Sequence, residues 1–210
     1  MEYNWKDDKD LSRAQKRRMD DIIQAALKVF DRDGFDAAKM SDIADEAEVA
    51  KGTLYLYFDT KVDLLEGVIA SEIIPTLQQI GAAGQKDAGT AKERLAQQVR
   101  IATKRMASPE MKTLLRHMIS TAPKHQRISQ FYYQHVILQG LSHIRATLDF
   151  GVETGEFREL ASDTDALVLV GAPVYAAVWN ILFEDLAEIN PEKLAEDFLE
   201  IVLNGLSVDR

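Results

Sequence analysis

Lys51, Thr53, Tyr55 and Tyr57 crowd a stretch about two helical turns long, with Gly52 among them and no acidic residue between Val49 and Phe58. Lysine, threonine and tyrosine donate hydrogen bonds to phosphates and base edges, and Leu54 or Leu56 suits contact with a thymine methyl. Gly52 lets a phosphate or base approach the backbone closely. Tyr55 and Tyr57 are two apart and cannot share a helical face, so one packs while the other reaches outward. Lys51 and Lys61 stand at the starts of two successive helices, where each is either a phosphate contact or a solvated lysine. Arg13, Lys16, Arg17 and Arg18 form a basic cluster just before the first apolar helical face. It reads either as a solvated helix end or as an arm that follows the DNA backbone or minor groove.

Other chemistries have little to stand on. With no cysteine, thiolate nucleophiles, disulfides, Cys-ligated zinc and iron–sulfur clusters are excluded. His117, His125, His135 and His143 are eight or ten residues apart, without an i,i+4 pair, so no metal site is expected. No catalytic triad, nucleophile elbow, phosphate loop or nucleotide fingerprint occurs, and neither an enzyme nor a cofactor is expected.

The elements that must position the polar cluster follow from periodicity. Ile22, Ile23, Ala26, Leu27 and Phe30 fall on one face of a helix that Gly34 stops. A short helix carries Ile43, Ala44 and Ala47 inward. A tight connection at Glu48–Ala50 leads to a second short helix, Lys51 to Phe58, and Asp59 or Thr60 caps the next from Lys61. Residues 81–89 read as a flexible linker. Further helices are predicted over about 90–107, from Pro109 to about Thr121, over roughly 125–152 and 162–188, and from Pro191 onward. Two short helices behind a supporting helix outline a helix-turn-helix, whose second helix enters the major groove. The fold class predicted is all-α.

The segment from Ile22 to Ile69 resembles the N-terminal domain of the TetR family of bacterial transcriptional regulators. Phe30, Gly34-Phe35, Asp42-Ile43-Ala44, Val49, Lys51-Gly52-Thr53-Leu54-Tyr55, Tyr57-Phe58, Lys61 and Leu64-Leu65 carry it, and Glu153-Thr154-Gly155-Glu156-Phe157 adds a familiar turn. Three positions depart from the family pattern. Glu48 replaces a common glycine and must accept a positive φ or alter the turn, Ala50 replaces a serine, and Ala38-Lys39 stands where Thr or Ser often precedes the second helix. Ser41 is a candidate for part of that lost role.

Residues 1–12 mix charges with Tyr3 and Trp5 without a helical period and read as a flexible tail. The resemblance implies a three-helix DNA-binding domain over 13–60 and a larger helical ligand-binding and dimerisation domain over 61–210. It implies a repressor that binds a palindromic double-stranded DNA operator as a homodimer and is released by an unknown small-molecule inducer. DNA contacts are expected from Ser41, Lys51, Gly52, Thr53, Leu54, Tyr55, Tyr57, Lys61, Arg17 and Arg18. The same resemblance places a cavity among the central helices, with Met106, His117, Met118, Phe131, Tyr132, His135, Tyr175 and Trp179 as candidate lining. Phe131, Tyr132 and Tyr133 are consecutive, so at least one points away from the main core. The last two helices, with Gly171, Ala172, Ala176 and Ala177, are expected to pair with their copies in a partner, and Pro173 to bend its helix. The alternative reading is a helical small-molecule sensor without competent DNA recognition.

Composition bears on this choice. The 210 residues are 46% hydrophobic and 28% charged, enough for one or two domains, and 11 glycines and 5 prolines suit a mostly helical chain. A formal charge of −9 argues against a nucleic-acid partner when taken whole. Residues 1–60 carry 10 basic against 14 acidic side chains, yet residues 9–18 hold five basic residues against Asp10 alone. Exposed charges are largely screened beyond about 8 Å. A segregated surface is therefore expected, with Asp45 and Glu46 turned from the duplex. The N-terminal residues lack a signal-peptide core, and the longest apolar run, Ala166 to Trp179, is shorter than a span of about 20 residues. A cytoplasmic protein with no membrane partner is expected.

Overall fold

A computed structural model describes residues 11–85, 89–159 and 166–207. The helices are α1 (Arg13–Asp33), α2 (Met40–Glu46), α3 (Lys51–Tyr57), α4 (Lys61–Gly84), α5 (Ala91–Met106), α6 (Pro109–Thr121), α7 (Gln126–Tyr132), α8 (Leu138–Glu153), α9 (Gly171–Phe183) and α10 (Pro191–Leu206). Short 3-10 turns occupy Ala122–Lys124 and Ala166–Val170, and a π-helical segment occupies Tyr133–Ile137. Among the described residues the one extended pairing is an isolated bridge between Phe157 and Ser207. The all-α expectation holds. The expected tail lies outside the described residues except for Leu11 and Ser12.

The chain packs as two compact units. The first joins Met1–Ile73 to Thr113–Tyr132, and the second joins Ile74–Lys112 to Tyr133–Arg210. These units cut the chain elsewhere than the motif boundary at 60/61.

In the first unit α1 begins at Ser12, whose hydroxyl accepts from Gln15 N–H while the Gln15 side chain accepts from Ser12 N–H. This reciprocal cap satisfies two amides that helix geometry leaves open. The basic cluster from Arg13 to Arg18 therefore lies within the first turns of α1 rather than before it. Ile22, Ala26, Val29 and Phe30 on α1 are fully buried, as are Ile43, Leu54, Phe58, Leu64, Leu65 and Ile69 on the elements that follow. Thr60, not Asp59, opens α4: its amide donates to the Asp63 carboxylate at 2.7 Å and its hydroxyl accepts from Asp63 N–H at 3.1 Å.

In the second unit α5 packs against α8, α9 and α10. Leu95, Val99, Leu148, Phe157, Ala195 and Leu199 form the centre of its core. The Glu153–Phe157 turn earns its place here. A Cβ on Gly151 would stand 2.1 Å from the Phe157 ring, so only glycine admits that aromatic beside α8. Glu156 then accepts from the first open amide of α5, Ala91 N–H, at 2.9 Å.

Three expectations need correction. The linker over 81–89 is helical as far as Gly84, with Gly81 packed against the His143 ring and Gly84 against the Gln98 amide, and residues 86–88 lie outside the described residues. The helix over 125–152 is interrupted by the π turn at Tyr133–Ile137. Phe131 is buried at 9% exposure and Tyr133 is 56% exposed, so the aromatic run does divide between inside and outside. Pro173 lies in the first turn of α9, where a proline removes no intrahelical bond, and the change of helix type falls earlier, at Val170–Gly171.

Candidate nucleic-acid interface

The connection from α2 to α3 depends on one residue in an uncommon conformation. Glu48 has φ 53°, the one non-glycine residue with positive φ among those described. It lets Val49 N–H return to Ala44 O at 2.9 Å and closes the turn. A non-glycine there costs roughly 1–2 kcal/mol. The turn is thus unaltered in hand by the loss of glycine and carries that strain.

Seven residues of α3 sort by its helical period. Leu54 is fully buried, so it locks α3 into the core and the expectation that it touches a base is withdrawn. Tyr55 is 40% and Leu56 67% exposed, Lys51 and Gly52 are exposed, and Thr53 and Tyr57 are half-buried. The outward face therefore presents an ammonium, bare backbone, a phenol and an apolar side chain. No side chain caps α3 at Ala50. Ser41 is half-buried and its hydroxyl donates to Asp42 at 3.1 Å, an intrahelical engagement rather than a cap on α2.

The two remaining groups of expected contacts behave differently. Arg17 and Arg18 are exposed on the second turn of α1. The Lys61 ammonium donates to the carbonyls of Phe35 at 2.5 Å, Ala38 at 2.8 Å and Asp36 at 2.9 Å, and lies 4.7 Å from the Phe35 ring centroid. Burial pushes its pKa down, partly opposed by Asp36. An ammonium has three protons, and all three are used. Lys61 ties the start of α4 to the turn after α1, and the phosphate role expected for it is corrected to a structural one.

Residues 113–132 supply further ties within this unit. Arg116 donates to Asp31 at 3.2 Å and Lys124 to Asp36 at 3.0 Å. Arg127 donates to Asp63 at 2.5 Å and to Glu66 at 2.8 Å. Glu66 is buried, which raises its pKa against the opposing pull of Arg127. His117 is buried, with Nε2 lacking a hydrogen-bond partner and 3.9 Å from Asp31, and burial lowers its pKa. These partners are far apart in sequence, so no local pattern could have announced them.

The candidate ligand residues divide between the units. His117, Met118, Phe131 and Tyr132 belong to the first, and Met106, His135, Tyr175 and Trp179 to the second. Met118 is buried, Tyr132 is half-buried with its phenol pKa raised by desolvation, and His135 is half-buried with its pKa lowered by desolvation. Met106 is half-buried. Tyr175 is 51% exposed, which removes it from the interior of its own unit. Along α9 its ring meets that of Trp179 at a tilt (centroids 5.9 Å apart), and Trp179 meets Phe183 edge to face (5.2 Å), while Trp179 Nε1 donates to Ala187 O at 2.7 Å. Leu182, Leu186 and Ile201 are 61%, 83% and 75% exposed, so α9, the turn after it and α10 carry apolar surface. Ala166–Phe183 is long and apolar enough by composition to cross a membrane, and a third of it is buried within the chain.

Two families match. Residues 22–68 match "Bacterial regulatory proteins, tetR family", and residues 85–198 match "Tetracyclin repressor-like, C-terminal domain". The chain belongs to the TetR family. It is a helix-turn-helix transcriptional regulator, and the family is not one of enzymes. The transcriptional repressor KstR of Rhodococcus jostii is 38% identical over 78 residues, 37% of this chain and 35% of that protein, so the chain matches about a third of that relative's length. The fatty acid metabolism regulator protein of Bacillus subtilis is 27% identical over 189 residues, 88% of this chain and 93% of the relative. Among solved structures, FadR from Bacillus subtilis in complex with stearoyl-CoA shares the fold with TM-score 0.69 at 23% identity, over 89% of this chain and 98% of that one. A regulatory protein of the family from Rhodococcus RHA1 has TM-score 0.69 at 20% identity, over 92% and 99%.

Proposed function

We propose that this regulator is a repressor that binds a palindromic operator as a homodimer, in the cytoplasm, and leaves it when a long-chain acyl-CoA binds. The observation that carries the DNA reading is the outward face of α3, where Lys51, Gly52 and Tyr55 project from a helix locked at Leu54. Two such helices in successive major grooves of one DNA face would stand about 34–36 Å apart. Ser41, Thr53, Tyr57, Arg17 and Arg18 complete the proposed DNA contacts. DNA recognition is assigned to residues 13–60, and ligand binding and pairing to 61–210. The exposed apolar surface on α9 and α10 supports pairing with a second copy, since patches of this kind mark interfaces. The ligand class is supported by the fatty acid metabolism regulator, the relative above whose match runs through both domains, and by the stearoyl-CoA held by FadR. His117, Met118, Phe131 and Tyr132, which lie within the first unit, are the residues proposed to meet the acyl chain.

A ligand shifts the DNA-bound population only through its differential affinity for the two states. Gel shift on a duplex from upstream of the protein's own gene, against a scrambled duplex, tests the DNA half. Stearoyl-CoA, free CoA and stearate, added separately, test the ligand half. Preferential binding that stearoyl-CoA alone reverses is expected. Equal affinity for both duplexes would leave the DNA-incompetent sensor as the reading, and a complex indifferent to stearoyl-CoA would remove the acyl-CoA assignment.

A further inference from the structure

The first unit is acidic by count, so the cations it leaves available carry more information than its net charge. Several of its described cations are engaged. Lys28 pairs with Glu46, Arg32 with Asp33 and Glu46, Arg116 with Asp31, Lys124 with Asp36, and Arg127 with Asp63 and Glu66. Lys61 is spent on three carbonyls. Arg13, Arg17, Arg18, Lys39 and Lys51 are exposed and have no carboxylate within ion-pair distance among the described residues. Four of these stand on α1 or α3. Lys39 is the fifth, at the residue that opens α2.

We propose that Lys39 is a DNA-backbone contact of this chain, and that it takes up phosphate charge that Lys61, held by three carbonyls, does not. The first helix of a helix-turn-helix lies across the DNA backbone, which brings the start of α2 toward a phosphate. Lys39 has extended backbone with φ −113° and ψ 147° and an exposed side chain, so a long flexible stem is free to place the charge. The neighbouring acids do not cancel it. Asp45, Glu46 and Glu48 gather at the other end of α2, about 10 Å away by helical rise, a separation comparable to the screening length. Glu46 is in addition held by Lys28 and Arg32. Asp42, the nearest acid along the helix, is half-buried and accepts from Ser41. Counterion release makes such a contact measurable, because each neutralised phosphate adds about 0.9 to the slope of log affinity against log salt.

The inference rests on the DNA-binding reading above. The experiment measures binding of the full chain to the upstream duplex and to the scrambled duplex by fluorescence anisotropy across a salt series. Lys39→Ala is expected to flatten the slope by about 0.9 for each Lys39 in the bound species and to weaken both duplexes by a similar factor, roughly three- to tenfold at about 0.1 M salt. Lys39→Arg is expected to keep the wild-type slope. Lys28→Ala removes an exposed lysine that is already paired and is expected to leave the slope unchanged. A thermal midpoint equal to wild type in Lys39→Ala is expected from its exposed position. A wild-type slope in Lys39→Ala overturns the proposal, as does an equal loss in Lys28→Ala. Absence of preferential binding by the wild-type protein would instead overturn the repressor reading.

Discussion

Lys61 and His117 show how one side chain's surroundings decide its work. The Lys61 ammonium closes the turn after α1 through three carbonyls, so Lys61→Met leaves those acceptors without their donor. A loss of about 2 kcal/mol is expected, a drop of roughly 4–8 °C in thermal midpoint, because charged hydrogen bonds contribute about 1.5–3 kcal/mol. The salt slope of DNA binding should stay at the wild-type value, since the ammonium never reached a phosphate; a slope lowered by about one would restore the phosphate role. His117 makes a pH statement. Burial lowers its folded pKa from the ordinary 6.5, partly opposed by Asp31 on α1 and reinforced by Arg116 beside it on α6. The unfolded chain therefore takes up the proton first. The stability due to neutral His117 is complete above about pH 6.5 and is lost as pH falls through the lowered folded value. Thermal midpoints at about pH 7.5 and about pH 5.5 should fall in the wild type and fall less in His117→Gln. An equal fall in both would assign the acid sensitivity elsewhere.

Among the elements, the short helix α3 is the most exposed to single changes. It has seven residues, no side-chain cap and a strained residue two positions before its N-cap. Ser12 and Thr90 show what a cap does at α1 and α5, each accepting from the third helical amide. Ala50→Ser is expected to stabilise the protein by about 0.5–2 kcal/mol, read as a raised midpoint in thermal melts. An unchanged midpoint would mean that the turn at Glu48 holds the new hydroxyl away. Helix identities were legible because a stripe such as Ile22, Ala26, Val29 and Phe30 repeats with the helical period. The same periodicity could have separated buried Leu54 from exposed Leu56, two residues apart on opposite faces. Partners supplied from afar were not legible. The carbonyls around Lys61 lie 23 to 26 residues before it, and the carboxylates around Arg127 lie 61 and 64 residues away. Nor does a sequence show that the linker glycines serve close packing until His143 and Gln98 are seen against them.

For the whole molecule, the homodimer proposed above would draw on the uncovered surface of α9 and α10. Leu182 and Ile201 are mostly exposed in the single chain, and each large apolar side chain contributes about 1.5–3 kcal/mol when fully covered. The variant carrying Leu182→Glu and Ile201→Glu is expected to sediment as a monomer at concentrations where the wild type is a dimer, and to lose operator binding with it. A variant that remains dimeric would move the interface to another surface.

Pro75 lies inside α4, two residues past Ile73, where the first packing unit ends along that helix. Having no N–H, it leaves the Ser71 carbonyl without its intrahelical donor. Cooperative opening is carried from turn to turn by such bonds, and here the ladder lacks a rung at the border. Amide protons on the two sides of Pro75 should thus exchange with solvent deuterium as two separate blocks, each with its own opening free energy, although a single helix carries both.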